Sequence, residues 1–317
     1  MKINMHTPHS HIIERYIGSM LGLAIGDALG APVEFMQRDT FTPVCDYQRG
    51  GKFNVAIGEY TDDTAMALCL AQSLIEKQGM DPQDQLDKYV AWYQNGYMSA
   101  TGRSIGCGKT VLLALMKFMR TGCSECGNSK MKKGAGNGSL MRVAPVALFY
   151  ANDLKNAMLM AAMSSYTTHG LKVCADACMM MTGLIVGVLD GKEKKELLGE
   201  NYAKYLLSLS KDVLSKEIEE IVRGSYKAKS REEIGSSGYV VSTFEAALWV
   251  FYHTDTFEDG VLLAVNLGYD ADTVAAVYGQ LAGAYYGAEN IPTHLSENLM
   301  QVNVIQGLAR TISNHLL

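Results

Sequence analysis

Glycine recurs at every fourth position, Gly18, Gly22, Gly26 and Gly30, along one apolar stretch of this chain. Residues four apart in an α-helix lie close to one face, so the four lay a strip of bare backbone along it. Each costs a helix about 0.5–1 kcal/mol relative to alanine. The compensation expected for such a strip is very close approach of another helix, or of a ligand. Pro32 then makes a helical Ala31 unfavourable, which puts Glu34 on the exit loop.

Elsewhere apolar residues also recur at helical rather than strand spacing. Ala67, Leu70, Ala71, Leu74 and Ile75 make one stripe. Val274, Val277, Leu281 and Ala284 make another, which stops at Gly287, a residue suited to end a helix. Further helices are predicted over residues 110–120, 139–150, 154–165, 171–189, 211–222, 241–253, 257–267 and 295–315. Neither alternating strands nor a βαβ rhythm is present. No Pro/Gly/Ser-rich linker divides the chain and no repeat recurs. With 317 residues, 48% of them hydrophobic, a large core can form, and the expectation is one compact all-α, multi-helix domain over residues 1–317.

A net charge of −5 leaves no basic stripe for stable nucleic-acid binding. The clusters "KMKK" (130–133) and "KEKK" (192–195) read as solvated loops rather than phosphate grips. Cys69, Cys174 and Cys178 fall within helical patterns, as small apolar fillers. With no signal-peptide pattern at the start, the seven cysteines read as free thiols in a reducing cytoplasm. Cys123 and Cys126 lack the second ligand pair that a zinc site needs. The longest apolar run, residues 179–189, is too short to span a bilayer, so the chain is expected to be soluble, with no membrane partner.

Two acidic motifs point to chemistry. "YTDDTAMAL" (60–68) and "NLGYDADTVAAVYGQLAGAYYG" (266–287) each crowd carboxylates and a threonine against the start of an apolar-striped helix. Capping explains one aspartate at each, through a hydrogen bond worth about 1 kcal/mol, and the helix dipole tolerates a second. Together, however, they hold four carboxylates. If the two helix starts converge, those groups raise each other's pKa unless cations neutralise them. Oxygen ligands of this kind suit Mg²⁺, Ca²⁺ or Mn²⁺, and four can hold two ions, typically about 3.5–4 Å apart in catalytic pairs.

These two blocks, with "GLAIGDALGAPVEF" (22–35), "GAGNGSLMRVAPVALFY" (134–150) and "SGYVVSTFEAALWVF" (237–251), resemble the ADP-ribosylglycohydrolase family, in order and over nearly the whole chain. The resemblance implies an all-α fold and removal of ADP-ribose from modified groups with two Mg²⁺ or Mn²⁺ ions. Thr61, Asp62, Asp63, Asp270, Asp272 and Thr273 are then the implied metal ligands. Glu34 is the implied acid near the scissile bond, with Asp62 and Asp272 also catalytic. Asn137, Gly138 and Ser139 of "GNGS" are implied contacts to the diphosphate or neighbouring ribose. A glycine-rich turn opening a helix suits phosphate oxygens. His169 resembles the family histidine lining the cleft, Tyr239 the aromatic packed on the nucleotide, and Gly106 and Gly108 further cleft residues.

One departure concerns specificity. Many family members acting on ADP-ribosylarginine carry a "DIG" turn whose aspartate faces the guanidinium. Here the stretch is "GRSIGCGKT" (102–110), with Ser104 in that place, and a hydroxyl cannot pair with guanidinium as a carboxylate does. The resemblance therefore does not carry arginine specificity over. The same stretch nearly spells a P-loop, but five residues, not the required four, separate Gly102 from Gly108-Lys109-Thr110. The expected activity is metal-dependent hydrolysis of the bond from ADP-ribose to a protein side chain, nucleobase or small molecule. The rival from another class is a non-catalytic ADP-ribose binder or toxin-immunity protein of the same fold.

Overall fold

The structure, a computed structural model, describes residues 7–130, 134–210 and 213–315. Among them the regular elements are helical, and pairing between strands is reduced to two isolated bridges. The N-terminal half holds α1 (Thr7–Gly30), α2 (Asp62–Lys77), α3 (Pro82–Asn95), α4 (Lys109–Thr121), α5 (Ala144–Phe149) and α6 (Leu154–Tyr166). Then come α7 (Lys172–Leu189), α8 (Lys194–Leu197), α9 (Glu200–Leu209), α10 (Lys216–Val222) and α11 (Val240–His253). The chain closes with α12 (Phe257–Val265), α13 (Ala271–Tyr286), α14 (Thr293–Glu297) and α15 (Val302–His315).

The glycine strip of α1 meets a helix, not a ligand. α13 lies so close that a Cβ built on Gly18 would sit 2.1 Å from the Gly283 carbonyl oxygen, and on Gly22 or Gly26 2.2 Å from those of Gly279 and Ala275. Gly279 and Gly283 of α13 are equally bare, four residues apart, against the Gly22 and Gly18 carbonyls. Ser19 Oγ crosses the seam to the Gln280 carbonyl at 2.8 Å. The strip ends at Gly30, where a Cβ would come within 2.3 Å of Asp272 Cα. The close packing that compensates the glycines thus also brings the C-terminal end of α1 against the start of α13.

α1 and α7 are long and apolar enough to cross a membrane, but the apolar windows of both are mostly buried in the core. Their hydrophobicity is used inside the protein.

Four expectations on the elements need correction. The helix predicted over 139–150 starts only at Ala144, because Pro145 has no N–H to give back to Met141; residues 138–142 form turns closed by Asn137 O on the N–H groups of Leu140 and Met141. The helix predicted from 211 begins at Lys216, residues 211 and 212 lying outside the described residues. The C-terminal helix is two, parted at Gln301, whose φ is 56°, with Met300 N–H drawn onto the Gly58 carbonyl. Of "KEKK", Lys194 opens α8 and reaches the Thr254 carbonyl; residues 131–133 of "KMKK" are outside the described residues.

α3 was not expected at all. Asp81 caps it by accepting from the N–H groups of Gln83 and Asp84, and Pro82 opens it. Cys69, Cys174 and Cys178 are buried, free thiols, and Cys126, also free, directs its sulfur at the Cys123 carbonyl.

Candidate metal centre and active site

The entrance to α2 is capped from another helix. Its own N-cap residue, Thr61, makes no side-chain capping bond. Asp27, fully buried on α1, takes that role. It accepts from Thr61 N–H at 2.9 and 3.0 Å and from Thr64 N–H at 2.9 Å. It also accepts from the two hydroxyls, at 2.7 Å from Thr61 and 2.6 Å from Thr64. Burial pushes the Asp27 carboxyl up, and these hydrogen bonds pull it back down. Because the Thr61 hydroxyl spends its hydrogen on Asp27, its lone pairs are left for a cation.

Capping therefore does not explain the paired acids. Asp270, the N-cap of α13, makes no side-chain capping bond either. Its Oδ2 accepts instead from the Asn137 amide at 2.5 Å, and Thr273 adds a second hydrogen bond. The two helix starts converge. Asp27, Asp63 and Asp272 place carboxylate oxygens within 4.8 Å of one another, and so do Glu34, Asp270 and Asp272. Asp272 belongs to both triplets. Asp62 belongs to neither; its Oδ1 faces Gly106, where a Cβ would come within 2.1 Å.

Three oxygens of this cluster, Glu34 Oε2, Asp63 Oδ1 and Asp272 Oδ1, are buried and without a hydrogen-bond partner among the described residues. Burial, reinforced by the neighbouring acids, pushes Asp62, Asp63 and Asp272 well above the usual carboxylate range. Burial also raises Asp270, against the bonds from Asn137 and Thr273. Glu34 is pushed up to about 8 by burial and by Asp270, with Lys52 pulling it the other way. Buried acceptors that find no donor and repel one another make a donor set for a hard divalent cation. The carboxylates fit a metal ion.

Around this cluster the other sequence candidates fall unevenly. Residues 135–137 and 238–240 pair through a bridge between Gly136 and Tyr239, with Asn137 N–H on the Gly238 carbonyl and Val240 N–H on that of Ala135. Asn137 spends its amide on Asp270 and Thr243, so it positions a metal ligand. The Ser139 hydroxyl is buried and accepts from Ser165 at 2.8 Å; it is no helix cap. His169 is buried, with a Cβ on Gly138 coming 2.9 Å from its ring. Tyr239 is exposed. Gly106 has a φ of +87° against Asp62, whereas Gly108 is exposed with nothing crowding it. Ser104 turns away, its hydroxyl donating to the Tyr93 carbonyl of α3 at 2.9 Å.

Three features went unread in the sequence. Asp27 is one; its signal was a lone acid in an otherwise apolar part of α1. Phe35 and Tyr269 are another. Both are exposed aromatics beside Glu34 and Asp270, both have left-handed backbone (φ 67° and 58°), and each donates its N–H to the other's segment, Phe35 to Tyr269 O and Tyr269 to Met36 O. Bulky residues there are strained. The third is Arg142, fully buried beneath the Gly-rich turn.

An all-helical fold that gathers six acids where α1, α2 and α13 meet defines a class of proteins with a candidate metal centre. The family model described as ADP-ribosylglycohydrolase matches residues 8–316, and the chain belongs to that family. It is 38% identical over 305 residues to the ADP-ribosylarginine hydrolase Tri1 of Serratia proteamaculans (strain 568), covering 96% of this chain and 80% of the relative. It is 32% identical over 287 residues to the ADP-ribosyl-[dinitrogen reductase] glycohydrolase of Rhodospirillum rubrum, covering 88% of each. A solved structure described as an ADP-ribosylglycohydrolase-related protein complex superposes with a TM-score of 0.84 at 38% identity, covering 97% of this chain and 100% of that one.

Proposed function

We propose that this protein is a divalent-cation-dependent hydrolase that cleaves the glycosidic bond joining ADP-ribose to a protein side chain, with an arginine linkage the first to test. The observation that carries this reading is the pair of carboxylate triplets sharing Asp272, three of whose buried oxygens have no donor among the described residues. Thr61, Asp62, Asp63, Asp270, Asp272 and Thr273 would hold two ions, Mg²⁺ or Mn²⁺, with Asp27 facing one of them. When bound, such ions anchor ribose hydroxyls and acidify a water.

The chain's own groups have distinct tasks. Asp27 turns the Thr61 oxygen toward the centre, and Asn137 holds Asp270 in place. The acids surround the anomeric carbon with negative charge, which favours an oxocarbenium-like transition state. Glu34, pushed up to about 8, holds its proton near neutral pH in the metal-free protein, and it is the group placed to move a proton at the scissile bond. Gly106 leaves Asp62 room that a side chain would fill. Exposed Phe35, Tyr239 and Tyr269 offer flat apolar faces at the rim for the nucleoside or for the modified protein.

The names of the Serratia and Rhodospirillum relatives support an ADP-ribosylated protein as substrate. With Ser104 bonded to Tyr93, any recognition of a guanidinium would fall to another carboxylate of the site, half-buried Glu34 being the first to test. The free thiols fit a reducing cytoplasm. The test is turnover of arginine-linked, serine-linked, nucleobase-linked and small-molecule ADP-ribose conjugates with Mg²⁺ or Mn²⁺ and with a chelator. Release of ADP-ribose from the arginine conjugate, abolished by chelation, is the expected result. ADP-ribose binding with no turnover of any conjugate at any metal concentration would sink it in favour of a non-catalytic binder.

A further inference from the structure

Arg142 is a buried guanidinium without a carboxylate partner among the described residues. It is fully buried at the end of the turn that precedes α5, and none of the ion pairs includes it. Its Nη1 donates to the Gly138 carbonyl and its Nη2 to Thr168 Oγ1, each at 2.7 Å. The guanidinium carbon lies 4.7 Å from the Tyr89 ring centre, and Nε has no partner among the described residues. An unpaired buried charge is expensive, so its retention calls for an anion that the chain itself does not supply.

Both guanidinium bonds lead towards the Gly-rich turn. In a trans peptide the C=O and the following N–H point in opposite directions. With the Gly138 carbonyl pinned to Arg142, the Ser139 N–H faces away from the guanidinium, polarised by it. Neither Gly138 nor Ser139 donates its N–H to another described residue. The second bond acts through Thr168. Its hydroxyl accepts from Arg142 and lies 2.8 Å from His169 Nδ1. A hydroxyl hydrogen given to Nδ1 leaves the ring hydrogen on Nε2. That atom lies beside the same turn, 3.2 Å from where a Gly138 Cβ would be and 3.5 Å from a Gly136 Cβ. Burial and the Arg142 charge also push the His169 pKa down to about 3, so the ring is a neutral donor.

We propose that Arg142 is a positioning residue, fixing the Ser139 N–H and the His169 Nε2–H from below as a preorganised receptor for the diphosphate of the ADP-ribosyl group. This rests on the function proposed above and deepens it. The guanidinium does not touch the ligand. It orients neutral donors and lends them positive potential across one peptide unit.

Three metal-loaded variants, Arg142→Met, Arg142→Lys and Thr168→Val, test it against wild type. Calorimetry reads affinity for ADP-ribose and for adenosine on the loaded protein and for Mg²⁺ on the same protein stripped of metal, and a thermal melt reads Tm. For Arg142→Met we expect ADP-ribose binding about ten- to a hundredfold weaker, adenosine and Mg²⁺ binding unchanged, and a Tm unchanged or higher, because an unpaired charge has gone. Arg142→Lys recovers part of the loss. Thr168→Val, which frees the histidine and one Nη2–H of Arg142 but leaves the bond to the Gly138 carbonyl, shows a smaller loss, again confined to ADP-ribose. A purely structural arginine gives the opposite pattern: a lower Tm, with the folded protein binding ADP-ribose like wild type. That pattern overturns the proposal, as does equal weakening toward adenosine. Should Arg142→Met not fold, wild-type affinity in both other variants overturns it too. Wild type that binds no ADP-ribose sinks the proposed function instead, whatever the variants do.

Discussion

The core holds buried charge of opposite sign in two places, and one turn touches both. Asn137 gives its amide to Asp270 of the acidic centre, while the next residue, Gly138, gives its carbonyl to Arg142. At the acidic centre five carboxylates converge in two triplets with Asp62 beside them, and three of their oxygens find no donor among the described residues. At Arg142 a single delocalised charge is shared between two oxygen acceptors, the Met66 sulfur and an aromatic face. Like charges at close range demand a compact, divalent counterion. One spread charge can stay buried and act through the dipoles it orients. The difference teaches why the acids are suited to a cation, whereas the guanidinium acts through the neutral donors it orients.

The sharpest way to break that comparison is to remove an acid common to both triplets. Asp272→Ala should cost about a thousandfold or more in turnover, as expected when a metal ligand at a catalytic centre is lost. It should also raise the Tm of the chelated protein, because repulsion has been relieved. A lower Tm in chelator would mean that the acids hold the fold together without cations, and the proposed contrast with Arg142 would fail.

Asp27 should behave oppositely. It is an acid of the same centre, yet four donors converge on it. Asp27→Asn turns an amide hydrogen towards some of those donors and leaves buried N–H groups unpaired, at a cost of about 3 kcal/mol or more. Urea melts of the chelated protein should show this as a lower midpoint, together with weaker Mg²⁺ binding as the Thr61 hydroxyl loses its orientation. A midpoint equal to that of wild type would place Asp27 with the repelling acids instead.

What the sequence made legible follows from how local each signal is. The glycine strip announced a backbone contact because a fourfold period lies within one helix. That the partner is α13 is also written, in Gly279 and Gly283, but two glycines within the apolar stripe of Val274, Val277 and Leu281 make a weaker local signal than four in a row. The two acid pairs were legible as surplus carboxylates at helix starts, and the resemblance, not their spacing, implied that those starts converge, as they do. Asp27 was not, since its partners are 34 and 37 residues away in sequence and a lone acid in a helix carries no local pattern. α3 escaped because few of its residues, Gln85, Leu86, Tyr89 and Trp92, are buried, and its start depends on Asp81 and Pro82 instead. The apolar spacing over residues 139–150 predicts a helix from its start, yet Pro145 cannot return an N–H to Met141 and the helix begins only at Ala144. Arg142 looked like an ordinary charged position, because only tertiary packing tells a buried arginine from a solvated one.

A third test acts on the seam that brings the acids together. Gly30→Ala pushes a methyl group into the Asp272 backbone, and overpacking of this kind typically costs about 1–3 kcal/mol. Here it should lower Tm by a few degrees and weaken Mg²⁺ binding at the same time. Gly18→Ala clashes as severely, 2.1 Å from the Gly283 carbonyl, but at the far end of the same seam. It should lower Tm while leaving cation affinity of the folded protein alone. Equal effects on cation binding from both would show that the seam transmits strain along its whole length rather than setting the site at one end.

The smallest effect expected is a slope, and its sign sharpens the comparison most. The carboxylates of the centre have folded-state pKa values raised by burial and by one another, Glu34 to about 8. A raised carboxyl stabilises the fold fully below its unfolded value and loses that contribution as pH climbs through the folded one. His169, pushed down to about 3, works the other way: its contribution is complete above its ordinary value near 6.5 and is lost on acidification. Between pH 6.5 and 8 the histidine is therefore silent and the acids decide the slope. In chelator, Tm should fall across that window, by about one or two degrees per pH unit given roughly 1.4 kcal/mol per proton per pH unit. With saturating Mg²⁺ the fall should vanish or reverse, since the cation replaces the protons that the acids would otherwise keep. Parallel curves with and without Mg²⁺ would mean that no cation binds among these carboxylates, and the acidic half of the comparison would have no counterion to explain it.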